Sequence, residues 1–218
     1  LVGLDGSLSV GISGDVVTLT RSGGTSAGAG AKSFNLTLIK NPGVTGATGT
    51  FGIETQTGSS VKIDEDTAVG SQTITAGALT GPPSVAPVSY VAGANGNVMV
   101  TFTNTNLIPV NGDIEITFPA GFVLGAVGAS SAGDITSALG VSVSAQTVIV
   151  NLNDASLAAS STVDDLILTN IKNPGVTGTT GTFAIQTQNA ADIKIDENAT
   201  VAGVVITAGA LTGADVTL

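Results

Sequence analysis

The feature that most restricts what this chain can fold into is a second copy of itself. Ile39-Lys40-Asn41-Pro42-Gly43-Val44-Thr45-Gly46 returns as Ile171-Lys172-Asn173-Pro174-Gly175-Val176-Thr177-Gly178, 132 residues further on. The match continues without a gap: Thr50-Phe51 pairs with Thr182-Phe183, Lys62-Ile63-Asp64-Glu65 with Lys194-Ile195-Asp196-Glu197, and residues 74–81 with residues 206–213. A period of this length is too long for a solenoid unit and is the size of a whole domain, so the sequence reads as tandem modules with separate cores.

The boundary is expected at Gly81-Pro82-Pro83-Ser84, where two prolines stiffen the chain and cannot donate to a ladder. Residues 1–81 then form an incomplete first module, residues 82–213 a complete second one, and residues 214–218 an extended tail. The first module has no counterpart of residues 84–127, which amounts to two or three strands. The chain opens at Leu1 with neither methionine nor signal peptide, which reads as a processed secreted precursor or as part of a longer product.

Apolar and polar residues alternate in Asn97-Val98-Met99-Val100-Thr101-Phe102, in Asp113-Ile114-Glu115-Ile116-Thr117-Phe118 and in Asp192-Ile193-Lys194-Ile195-Asp196. Each run puts one apolar stripe inward and one polar stripe outward, the signature of a half-buried strand. Further strands are expected over residues 8–12, 16–20, 33–39, 50–56, 147–152 and 165–171. Asn41-Pro42-Gly43-Val44 and its repeat at 173–176 carry proline at i+1 and glycine at i+2, as a type II turn demands. Asn95-Gly96 and Asn111-Gly112 are hairpin dipeptides. With almost no helical periodicity, the expected fold class is all-β. It comprises two tandem β-sandwich modules of immunoglobulin-like or jelly-roll type, the first lacking its N-terminal strands.

Composition narrows the function. Aromatic residues are 3% and charged residues 10% of the chain, so the apolar 42% is mostly small and β-branched, suited to a thin pleated core. A net charge of −10 with six basic residues leaves no patch to neutralise phosphates, and an anionic membrane surface repels the chain. No apolar run approaches the ~18 residues of a membrane helix. The absence of cysteine removes disulfides and thiolate metal sites, and the absence of histidine removes the commonest general base.

The acidic pairs Asp64-Glu65, Asp164-Asp165 and Asp196-Glu197 are the residue type that cleaves glycosides. With no tryptophan and the single tyrosine Tyr90, no aromatic platform accompanies them, and the chain is expected not to be an enzyme. Asp64-Glu65-Asp66 and Asp196-Glu197-Asn198 are hard oxygen donors at one place in the repeat, but they lack the spacing that wraps donors round calcium. They read as solvated acidic loops, and no metal or cofactor is expected. N-glycosylation sequons stand at Asn35-Leu36-Thr37 and Asn198-Ala199-Thr200. Asn35 is expected to point outward from a strand that buries Phe34, Leu36 and Leu38, and Asn198 to sit in a polar loop.

In the run Asp113 to Phe122, Asp-Ile-Glu-Ile-Thr-Phe-Pro-Ala-Gly-Phe, and in the repeated Asn-Pro-Gly turn, the chain resembles the β-sandwich modules of extracellular surface fibre proteins of microbes and algae. Its incomplete first module is similar in architecture to donor-strand-assembled pilus subunits, which implies a polymer in which one subunit's strand fills another's groove.

The leading expectation is therefore a structural subunit of an extracellular filament, a homopolymer held by strand complementation, with glycans as further partners. Asp215, Val216, Thr217 and Leu218 are the candidate donor strand, Val216 and Leu218 facing one way. Seating four apolar side chains would contribute on the order of 6–12 kcal/mol before entropy. The second expectation is an adhesin or cell-wall stalk, part of a longer tandem array. A third, a carbohydrate-binding module, conflicts with the shortage of aromatic rings.

Overall fold

The computed structural model describes residues 4–25, 28–213 and 215. In chain order the strands are β1 (Ser7–Ser13), β2 (Val16–Ser22), β3 (Gly46–Ala47), β4 (Phe51–Gln56), β5 (Lys62–Val69) and β6 (Thr73–Ile74). There follow β7 (Gly77–Ala78), β8 (Thr80–Pro87), β9 (Asn95–Thr103), β10 (Asp113–Thr117), β11 (Val123–Ser130) and β12 (Leu139–Ser144). The last are β13 (Thr147–Leu152), β14 (Thr162–Lys172), β15 (Gly178–Thr179), β16 (Phe183–Gln188), β17 (Lys194–Val201) and β18 (Val205–Ile206). Backbone proximity divides the chain into two units, Leu1–Asn41 and Pro42–Leu218.

The second unit contains a two-layer β-sandwich. One sheet has the order β12-β13-β10-β16-β17-β7 and the other β11-β14-β9-β8. Alternation builds the core: β9 turns Val98, Val100 and Phe102 inward, β13 turns Val148, Val150 and Leu152, and β10 turns Ile114 and Ile116. From the other strands come Val163, Leu166, Leu168, Phe183 and Ile185. Each such side chain stabilises the fold by about 1.5–3 kcal/mol through its removal from water. Phe118, Phe122 and Phe183 meet with centroids 5.4–5.5 Å apart, concentrating scarce aromatic surface in one place.

The expected linker is part of a strand. Gly81-Pro82-Pro83-Ser84 lies within β8, an edge strand where proline's missing N–H leaves no central ladder broken. The register slips between Thr80 and Ser84, so the prolines sit in an irregularity rather than in the regular ladder. Gly77 to Pro87 thus changes sheets, β7 lying on the edge of one layer and β8 on the edge of the other.

In the first unit β1 and β2 form a hairpin about Gly14 and Asp15, with Ser13 opposite Val16 and Gly14 at φ 58°. It copies the hairpin β12–β13, where Ser144 faces Thr147 across Ala145 at φ 52°. Residues 34–39, expected as strand, form none. Their counterpart β14 is held between β9 and β11, and residues 84–127, which supply most of those two strands, have no counterpart in the first copy. Leu38, expected inward, has φ 62° and is exposed. Its partner Asn170 has φ 59° at a β-bulge between Leu168 and Ile171.

Three turns also differ from expectation. Neither Gly43 nor Gly175 has the positive φ of a type II turn; the positive values fall at Gly46 (131°) and Gly178 (132°). Around Asn173-Pro174 the backbone bonds outward instead, Asn173 N–H to Ala94 O (2.8 Å) and Gly93 N–H to Pro174 O (2.9 Å). Asn95-Gly96 opens β9, paired with Lys172 and Ile171, rather than forming a hairpin turn.

Candidate assembly interface

The two copies of the repeat contain the same hairpin in two environments. β4–β5 and β16–β17 share their register shifts, at Phe51/Ile53 and Phe183/Ile185, then at Thr55/Gln56 and Thr187/Gln188. Their turns match as well, with Ser60 at φ 58° and Asp192 at φ 57°. Lys62 pairs with Glu65 as Lys194 pairs with Glu197. Local sequence fixes local geometry, and the difference arises from what lies over it. Phe183, Ile185 and Ile195 are 0, 1 and 2% exposed, whereas Phe51, Ile53 and Ile63 are 48, 54 and 59% exposed. Phe183 is covered by Phe118 and Phe122, and Ile185 stands opposite Ile116; those residues have no counterpart in the first copy.

A second feature that distinguishes the two copies is the seat of β7. Gly77 and Ala78 lie parallel to Asp196 and Glu197, and Leu79 N–H donates to Glu197 O (3.2 Å) while its side chain enters the core. Asp196 is buried and holds the seat together. One carboxylate oxygen accepts from Thr105 N–H (3.0 Å) and Asn106 N–H (2.8 Å), the other from the Asn106 amide (2.7 Å). Thr105 Oγ1 donates to Ala78 O (2.5 Å). A Cβ at Gly77 would stand 2.1 Å from Asp196 Oδ1 and 2.7 Å from Asn106 Nδ2, so only glycine fits.

Asp196-Glu197-Asn198 is therefore a strand segment and not a solvated loop. Its first-copy counterpart Asp64 is exposed, with Thr55 as its side-chain partner (3.4 Å), because Thr105 and Asn106 are not repeated. Among the described residues no three acidic side chains gather as metal ligands. Asp134 and Asp164 do meet, and the Asp134 carboxyl raises the pKa of Asp164 above its ordinary value by hydrogen bonding and charge.

Asn35 is exposed. Asn198 is half-buried in β17 rather than in a loop, and its Oδ1 accepts from Thr200 N–H (3.0 Å). Of the candidate donor strand, Asp215 is exposed, and Val216, Thr217 and Leu218 lie outside the described residues. Sequence reading missed the Asp196 seat; the invariance of Ala-Gly-Ala-Leu-Thr-Gly between copies was its available signal.

The fold defines an all-β protein of tandem β-sandwich modules. Comparison with protein-family models and with curated proteins gives no match. Among solved structures it is similar to BslA, a bacterial hydrophobin, at 18% identity and TM-score 0.37, covering 61% of this chain and 98% of that one. CaCohA2 from Clostridium acetobutylicum is similar at 17% identity and TM-score 0.38, covering 61% and 92%. A non-cellulosomal cohesin from the hyperthermophilic archaeon Archaeoglobus fulgidus is similar at 12% identity and TM-score 0.33, covering 54% and 88%. Scores of this size assign no function.

Proposed function

We propose that the chain is a non-enzymatic structural subunit of an extracellular filament or appendage, in which strands of a second copy of the chain complete the first module. The observation that carries this reading is the exposure of Phe51, Ile53 and Ile63, whose counterparts Phe183, Ile185 and Ile195 are buried. Covering these three, each about half exposed, would contribute about 2–5 kcal/mol before the entropy of association. The tail Asp215, Val216, Thr217 and Leu218 is one donor under this reading, and the first copy of the repeat is the acceptor. Asn35 and Asn198 carry glycans if the chain is secreted through a glycosylating cell. No helix among the described residues is long and apolar enough to cross a membrane.

Light scattering over a concentration series, followed by cryo-electron microscopy of the assemblies, tests this. Oligomers are expected whose first module is filled by another subunit, and Phe51→Ser with Ile53→Ser should dissolve them. A chain that stays monomeric at all concentrations overturns the reading. The second reading, an adhesin or cell-wall stalk within a longer array, is favoured by Gly77 to Leu79. The end of one repeat copy is already laid into the next sandwich within one polypeptide. Native material with an intact mass well above that of 218 residues plus glycans would select it.

A further inference from the structure

Ala76-Gly77-Ala78-Leu79-Thr80-Gly81 and Ala208-Gly209-Ala210-Leu211-Thr212-Gly213 are identical in sequence. The first is seated on β17 through the Asp196 contacts. The second has the same side chains and no seat: residues 209–213 form no strand, and Leu211 is 91% exposed against 4% for Leu79. The chain's last backbone ties before it are at Thr207, whose N–H donates to Tyr90 O (2.8 Å) and whose carbonyl accepts from Ala92 N–H (2.8 Å). An added Cβ at Gly209 would meet a flexible side-chain atom, Val91 Cγ1, at 3.2 Å, where at Gly77 it meets the buried Asp196 carboxylate.

We propose that residues 208–213 are the leading strand of a further copy of this repeat. The segment lies along that copy's counterpart of β17, with Leu211 in its core and Gly209 against its counterpart of Asp196. The occupant is specified by the chain itself, which contains the same donor sequence already seated in its acceptor. The identity of the two segments ends at Gly213, beyond which Val216 and Leu218 fall at the positions of Ser84 and Ala86. The unit that folds therefore runs from Gly77 to Thr207 and is out of phase with the boundary at the prolines. Each sandwich takes its first strand from the segment that closes the preceding repeat.

The test compares the 218-residue chain with an extended chain in which residues 82–213 are repeated directly after Gly213. In the extended chain the amides of Ala210, Leu211 and Thr212 should exchange with solvent at least about tenfold more slowly than in the shorter one. Leu211→Asp and Gly209→Ala should each lower the melting temperature of the extended chain and leave the shorter chain unchanged. Equal exchange in both chains, an extended chain indifferent to Leu211→Asp, or an added copy that does not fold overturns the proposal. Its failure is distinct from failure of the filament reading, which is decided by Phe51 and Ile53 in the first copy.

Discussion

Ile53 and Ile185 hold one position of the repeat in opposite environments, which makes them a matched pair for measurement. Ile185→Ala should cost about 2–4 kcal/mol in urea denaturation, because it leaves a cavity beneath Ile116. Ile53→Ala should stay within about 0.5 kcal/mol in the monomer. Asp196→Ala should cost about 2–4 kcal/mol, since it strands the N–H groups of Thr105 and Asn106 that converge on the carboxylate. Burial raises the Asp113 carboxyl above its ordinary value, against the opposing hydrogen bond from Asn151 and with added repulsion from Asp192. The folded state thus holds this proton more tightly than the unfolded chain. Stability falls as pH rises from the ordinary carboxylate range through the raised folded value. Asp113→Asn should therefore be the more stable protein at neutral pH and lose that advantage in acid, as denaturation midpoints at several pH values would show. At this scale the sequence is a partial guide. Alternation marked the core residues of β9 and β10, but of the two isoleucines in the run 192–196 only Ile195 is buried and Ile193 is exposed; the partner of Asp196 lies 90 residues away, and no local pattern indicates it.

Hairpins are the element most faithfully written in the sequence. β4–β5 and β16–β17 share turn, register and ion pair although one lies open and the other is covered, so their geometry is local. A two-stranded hairpin is marginally stable in water on its own, whereas the same hairpin inside a sandwich shares the stability of the whole domain. Amides of β16–β17 should exchange at the rate of global unfolding and those of β4–β5 orders of magnitude faster, an order that assembly should erase. Residues 34–39 mark where local reading stops. Their alternation resembles that of β14, yet a strand needs neighbours, and those of β14 come from β9 and β11. The Asn-Pro-Gly segments misled for a related reason: Asn173 spends its side chain on the carbonyls of Ser89 (2.6 Å) and Val91 (3.0 Å), so the segment bonds to another loop instead of closing on itself.

For the whole molecule, the repeat announced modular architecture and the charge balance narrowed its partners, but the phase of the fold relative to the repeat appears only in three dimensions. Prolines looked like punctuation between modules; the sandwich carries them on an edge strand, and Gly77-Ala78 before them already pairs in its other sheet. The parallel course of β7 beside β17 has a mechanical consequence. Tension applied to the chain on either side of the sandwich pulls Gly77-Ala78 towards its N-terminal end and Asp196-Glu197 towards its C-terminal end. Two parallel strands drawn in opposite senses slide in shear, so their hydrogen bonds and the Asp196 clasp must yield together rather than unzip in turn. Single-molecule stretching of the wild-type chain should therefore show an abrupt high-force rupture, and Gly77→Ala should lower that force. A protein built this way would resist being pulled far better than its modest core of valine and isoleucine suggests.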